Sequence, residues 1–162
     1  MRDCLAASLF LASLTPCTAD SAPAFYYVAE EKLEYSDVAL IDHAGHEIDL
    51  AAFELKDWTV IQALTRAADR GVKVRIYLDG AGVADQEPDK PFKDLAGKSG
   101  VAMRIKREGN TVMHLNSYQI DGRLLRTDDL NVTESAEAVT AFKREFDDWF
   151  AAGEALPSSV TQ

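Results

Sequence analysis

The sequence predicts an α/β domain: a mixed β-sheet flanked by helices. Three observations predict it. From residue 25 onward, stretches of strand-like alternation take turns with stretches of helical periodicity. Asp121-Gly122 joins two strand-like runs and is a strong signal for a tight hairpin. The 162 residues suffice for one domain with a sizeable core, and no internal repeat or low-complexity linker divides them.

Residues 1–19 read as a leader. Arg2 gives a short charged start, and residues 4–14 (CLAASLFLASL) form an apolar run too short to span a bilayer. Cys17, Thr18 and Ala19 then supply small residues for cleavage, the layout of a secretory signal peptide. A frayed N-terminal helix is the alternative, and Pro16 argues against a lipid anchor at Cys17. The expectation is a secreted or periplasmic protein whose single domain covers residues 20–162. No later segment is apolar enough to cross a membrane.

Residues 25–29 (FYYVA) have the aromatic and β-branched content of a first strand. A helix follows over residues 32–44, with Leu33, Val38, Leu40 and Ile41 as core contacts. Residues 47–53 (EIDLAAF) read as a strand with Ile48, Leu50 and Ala52 on one face. Asp57 is an N-cap for a helix over residues 58–70, striped by Val60, Ile61, Leu64 and Ala68 and ended by Gly71. Residues 73–78 (KVRIYL) alternate as a strand: Val74, Ile76 and Leu78 against Lys73, Arg75 and Tyr77. Residues 80–89 read as a loop, 91–98 as a short helix and 101–106 as a strand. Residues 112–120 and 123–127 are the hairpin strands. The last helix covers residues 136–151, with Val139, Phe142, Phe146 and Trp149 at helical spacing. The tail beyond Gly153 is polar and reads as loose.

Composition removes several function classes. Both cysteines, Cys4 and Cys17, fall in the leader, so the mature chain has no disulfide, thiol nucleophile or zinc-thiolate site. The formal net charge is -10, and Arg2 and Asp3 cancel within the leader. So acidic a chain is poorly suited to neutralising a long nucleic-acid backbone. It can still hold one phosphate locally. Residues 104–126 are locally basic, with Arg104, Lys106, Arg107, Arg123 and Arg126 against Glu108 and Asp121. A solvated strand edge explains that run as well as an anion site does.

The three histidines are His43, His46 and His114. His43 and His46, near Asp42 and Glu47, could be drawn as a metal cluster. They fit a solvated helix end better, because zinc would need a further ligand. His114 lies on a strand-like stretch, where Asn116 shares its face and Ser117 takes the other. That placement and the lack of a Gly-x-Ser-x-Gly turn disfavour a triad of Ser117, His114 and Asp121.

"HLNSYQID" places His114 and Asp121 in register with the H-x-K-x-x-x-x-D signature of the phospholipase D superfamily. "VALIDHAGHEIDLAAFEL", "VIQALTRAADRGVKVRIYLDG" and "MHLNSYQIDGRLLRT" follow in the order of its small bacterial, endonuclease-like members, which carry one motif per chain. The chain therefore resembles that family over almost all of its predicted mature length. The resemblance implies phosphodiester hydrolysis, of phospholipid headgroup esters or nucleic-acid backbones, through a phosphohistidine on His114. A second histidine from a second motif protonates the leaving oxygen, which implies a homodimer here. It implies no metal or other cofactor. Asp121 would orient the histidine or support the site, or simply form the hairpin turn.

Two departures mark the motif as degenerate and point to impaired activity. Asn116 stands where the family carries lysine, keeping a donor but losing the charge. After Thr127, "TDDLNVTESAEAV" runs almost directly into the last helix. In one register Asn131 matches the family's phosphate-binding asparagine. In the other, favoured by the alternation of Leu130 and Val132, this stretch is a strand and the asparagine segment is missing. Asp128 and Asp129 would repel a phosphate in either. The alternative function is a catalytically inactive homologue, an anion- or partner-binding homodimer.

Overall fold

The computed structural model describes residues 33–84, 89–107, 113–128 and 131–157. The elements, in chain order, are α1 (Leu33–Asp42), β1 (Glu47–Ala52), α2 (Trp58–Asp69), β2 (Lys73–Leu78), α3 (Gly80–Ala84), α4 (Lys90–Ala96) and β3 (Val101–Ile105). There follow β4 (Asn116–Ile120), β5 (Leu124–Arg126), β6 (Val132–Thr133), α5 (Ala136–Ala152) and β7 (Glu154–Ala155). The leader and the strand expected at residues 25–29 lie outside the described residues.

Among the described residues seven strands make one sheet in the order β6-β5-β4-β1-β2-β3-β7. β1, β2 and β3 run parallel, joined by helical crossovers, and every other pairing is antiparallel. This is the mixed sheet with flanking helices that the alternation of patterns predicts.

Each face follows from its residues. Ile48, Leu50 and Ala52 of β1 and Val74, Ile76 and Leu78 of β2 point to one side. There they pack with Ile41 of α1, Ile61 and Leu64 of α2, and Phe92 and Leu95 of α4. On the other side Ala51 and Tyr77 pack with Phe146 of α5, flanked by Phe142, Trp149 and Phe150. β1 and β2 are thus covered on both faces, as parallel strands usually are. α2 starts where Asp57 accepts hydrogen bonds from the Thr59 and Val60 N–H groups. It is followed by Gly71 at φ 89°.

Polar groups under α5 form one connected network. Asp49, 1% exposed, accepts two hydrogen bonds from Arg75, at 2.7 and 2.9 Å, and one from Gln119 at 2.7 Å. Arg75 also pairs with Asp147 at 2.7 Å, and its guanidinium lies over the Phe146 and Phe150 rings. Lys143 bridges Glu47 and Asp49.

Four expectations are corrected. The loop of residues 80–89 contains α3. Gly82 packs there against backbone: a Cβ would lie 2.0 Å from the Phe53 carbonyl oxygen. The tail is not loose at its start, because β7 pairs with β3 and the Gly153 carbonyl accepts from Arg104 at 3.0 Å. The strand expected from residue 112 starts at Asn116, so His114 precedes it. Among the described residues the basic run of 104–126 is split, since β1, β2 and β4 separate β3 from β5. Arg104, Arg107 and Arg126 engage Gly153, Glu154 and Asp37 respectively.

The register after the hairpin is the strand alternative. Val132 and Thr133 pair with Arg126 and Leu125, and Ser135 caps α5 two residues later.

Candidate functional site

The carboxyl ends of parallel strands are where α/β sheets place their binding crevices. β1 and β2 end there, at Ala52 and Leu78, and β4 begins there, with Asn116 opposite Ala52. His114, two residues before β4, is therefore carried over that edge of the sheet. Its imidazole is exposed and stacks on Phe53, with ring centroids 6.0 Å apart and planes 28° from parallel.

Two contacts fix the segment that carries it. Asp79, at the end of β2, is buried and accepts hydrogen bonds from the Met113 N–H at 2.7 Å and the Ala81 N–H at 2.9 Å. One carboxylate thereby joins α3 to the residue before His114. Phe53 is held in turn by Gly82, whose lack of a side chain lets α3 reach the Phe53 carbonyl. Phe53, Asp79 and Gly82 carry no obvious chemical signature in the sequence. The Asp79-Gly80 pair after a strand is the one local cue, and it reads equally as a turn.

Asn116 leads from the same edge into a cleft of about 290 Å³, whose walls include Tyr118, Arg126, Asp37, Lys56 and Asp128. The Asn116 backbone is clamped from both sides. Its N–H donates to the Asp128 carboxylate, and its carbonyl accepts from Arg126 at 3.0 Å. Arg126 makes a two-pronged pair with Asp37, at 3.1 and 2.9 Å, and the Tyr118 hydroxyl donates to the same carboxylate at 2.8 Å. Burial, followed by the charge of Asp37, raises the Tyr118 pKa well above its ordinary value, so the phenol stays protonated.

His114 and Asn116 are thus neighbours at one edge. Asp121 is not with them. It lies just past the far end of β4, five residues beyond Asn116, or about 17 Å at strand rise. Its carboxylate accepts three backbone hydrogen bonds, from Gly45 at 2.9 Å, His46 at 2.7 Å and Glu47 at 2.9 Å. Asp121 and Gly122 adopt left-handed φ of 55° and 65° in the hairpin turn. Of the two roles weighed for Asp121, this geometry is that of the turn. The Asn131 carbonyl accepts from the Thr127 N–H at 3.0 Å, which closes the short connection into β6.

Ser117 pairs with Ala51 in the sheet, on the α5 side, away from Asn116. His43 donates through Nδ1 to the Ala39 carbonyl at 2.6 Å. Among the described residues no group of three or more His, Cys, Asp or Glu side chains could hold a metal ion. Among the same residues no helix is long and apolar enough to cross a membrane.

Asp121 gives a pH prediction. Partial burial pushes its pKa up, but the three N–H donors outweigh this and hold it below the ordinary carboxylate value. A carboxylate depressed on folding stabilises the fold above its unfolded pKa, near 4, and loses that contribution as pH falls through the folded value. Urea midpoints at pH 7 and pH 3 should therefore differ more for the wild type than for Asp121→Asn. Equal differences would refute this role for Asp121.

Taken together, these observations define an α/β domain with a histidine and an asparagine at the carboxyl edge of a mixed sheet. Residues 38–148, more than half of the chain, match the family described as "Cardiolipin synthase, PLD-like domain", and the chain belongs to that phospholipase D-like family. Solved structures share the fold. Nuc from Salmonella typhimurium, a phospholipase D family member, superposes with a TM-score of 0.66 at 19% identity, covering 75% of this chain and 89% of Nuc. NucT from Helicobacter pylori gives 0.67 at 15% identity, covering 80% and 96%. TrmBL2, an archaeal chromatin protein, gives 0.61 at 16%, covering 86% of this chain and 57% of its own. No curated protein matches the chain by sequence.

Proposed function

We propose that the protein is a phospholipase D-type phosphodiesterase with a weakened site. The observation that carries this reading is the placement of His114, exposed on Phe53 at the carboxyl edge of the sheet beside Asn116. A ring nitrogen of His114 attacks phosphorus, a P–N bond forms and the P–O bond to the leaving group breaks. The leaving oxygen takes its proton from His114 of a second copy, so the active species is a homodimer. Water then attacks the phosphohistidine with that second histidine as base, and the nucleophile is regenerated. The net charge of -10 favours a phospholipid headgroup ester over a long nucleic acid. Residues 1–19 direct export to a secreted or periplasmic location, which N-terminal sequencing of the exported protein tests.

A second reading has a specific observation behind it. The Asn116 N–H already serves the Asp128 carboxylate, and no lysine stands at that position. A homologue that keeps the fold but binds an anion or partner without turnover fits this arrangement.

Hydrolysis of bis(4-nitrophenyl) phosphate by the purified protein separates the two. His114→Ala is expected to bring turnover to background while folding is retained. Asn116→Lys is expected to raise it by about 10² to 10³, the usual worth of one preorganised donor. Turnover indifferent to His114→Ala would sink the phosphohistidine, and a strictly monomeric solution mass would sink the two-histidine site. A protein silent even as Asn116→Lys is the inactive homologue.

A further inference from the structure

We propose that Arg126 is the group that binds the phosphodiester anion in this cleft, and that Asp37 competes with the anion for the Arg126 guanidinium while Asp128 competes for the Asn116 N–H. The proposal rests on the phosphodiester reading above and adds a binding residue to it.

Arg126 is on β5, one strand over from Asn116, and reaches across to the Asn116 carbonyl. It lines the same cleft as Asn116, Lys56 and Asp128. Its side chain is only 12% exposed, so its charge acts through little water. A guanidinium has five N–H donors. Three are engaged, by the two Asp37 oxygens and the Asn116 carbonyl. That leaves two, one on each terminal nitrogen, in the planar fork that suits phosphate. The second cation of the cleft, Lys56, is paired with Glu54 at 2.5 Å and is half exposed, which makes it the weaker anchor.

The cleft is acidic, with Asp37, Glu54, Asp57 and Asp128 against Lys56 and Arg126. Each carboxylate has a partner. Glu54 holds Lys56, Asp57 caps α2, Asp37 holds Arg126, and Asp128 sits on the Asn116 N–H. An anion entering here would meet donors already occupied by internal carboxylates. Removing a carboxylate should therefore tighten anion binding, an outcome a purely structural Arg126–Asp37 pair does not give.

The probe is dimethyl phosphate, a bare phosphodiester, with binding followed by NMR titration of the full-length protein. Asp37→Asn keeps an acceptor for the Tyr118 hydroxyl and is expected to bind at least tenfold more tightly than wild type. Asp128→Asn should shift affinity in the same direction. Arg126→Gln alone leaves Asp37 buried without its partner, so the decisive comparison is Asp37→Asn against the double variant Asp37→Asn/Arg126→Gln. The double variant is expected to lose at least tenfold relative to the single one. Equal affinities, or no measurable binding by Asp37→Asn, overturn the proposal. Glycerophosphocholine and a dinucleoside monophosphate serve as further arms. Arg126-dependent binding of either supports the proposal, and their ranking identifies the source of the diester. Binding is read without turnover. A protein that binds through Arg126 but hydrolyses nothing keeps this proposal and loses the hydrolytic one, whereas hydrolysis unchanged in the double variant does the reverse.

Discussion

Asp49→Ala is expected to cost about 3–5 kcal/mol of folding stability, the usual result of removing one partner from a buried charge pair. Domains of this size have about 5–15 kcal/mol in total, so the urea midpoint should fall steeply. The carboxylate is 1% exposed and satisfies Arg75 twice and Gln119 once. Alanine would take the shorter of two acceptors from the fully buried Gln119 amide nitrogen, leaving it the longer contact to Glu47 at 3.4 Å, and would leave Arg75 with Asp147 and the aromatic rings alone. An arginine guanidinium keeps its proton at ordinary pH with or without Asp49, so Arg75 cannot escape by becoming neutral. Replacing the pair together, as Asp49→Leu with Arg75→Met, should be far less harmful, because neither charge is left alone. If Asp49→Ala unfolds within about 1 kcal/mol of wild type, the network is not the anchor of α5 inferred from these contacts.

Gly82→Ala is expected to produce the second large loss, and to reach the site as well as the fold. The added Cβ would meet the Phe53 carbonyl oxygen at 2.0 Å and its carbon at 2.9 Å, so either α3 or the end of β1 must move. Overpacking a core usually costs about 1–3 kcal/mol, and contact with rigid backbone puts this case at the upper end. Phe53 supports the His114 ring. The ring-current shift of the His114 carbon-bound protons should therefore shrink in Gly82→Ala. A stable variant with an unchanged His114 spectrum would show that α3 does not hold Phe53.

Elements carrying a full hydrophobic period were legible in the sequence: β1, α2, β2 and α5 lie within a residue or two of their expected bounds. The Asp121-Gly122 turn was legible for the same local reason, its left-handed residues. What failed was set by tertiary contact. α3 is built from GAGVA, which has poor intrinsic helix propensity, and it packs in place against Phe53. β7 is two residues that become a strand only because β3 offers an open edge. His114 and Asn116 stand at the same edge of the sheet because they are two residues apart, although His114 precedes β4 and only Asn116 lines the cleft. Asp121 shares their sequence motif, yet strand length carries it to the other end of the sheet. The hairpin that brings Arg126 near Asn116 was legible, but the side-chain reach to the Asn116 carbonyl and the pairing with Asp37 depend on tertiary packing.

Among the described residues the sheet ends on either side in a strand of only two residues, β6 and β7. Each spans about 7 Å, too short to template an added strand. If two copies pair as the phosphodiesterase proposal requires, these two short strands offer no edge along which they could merge into a continuous β-ribbon. Their association should respond to substitutions near His114 and leave amide exchange along β6 and β7 unchanged. The same two strands are poor templates for fibril growth, despite a centre rich in valine, isoleucine and leucine.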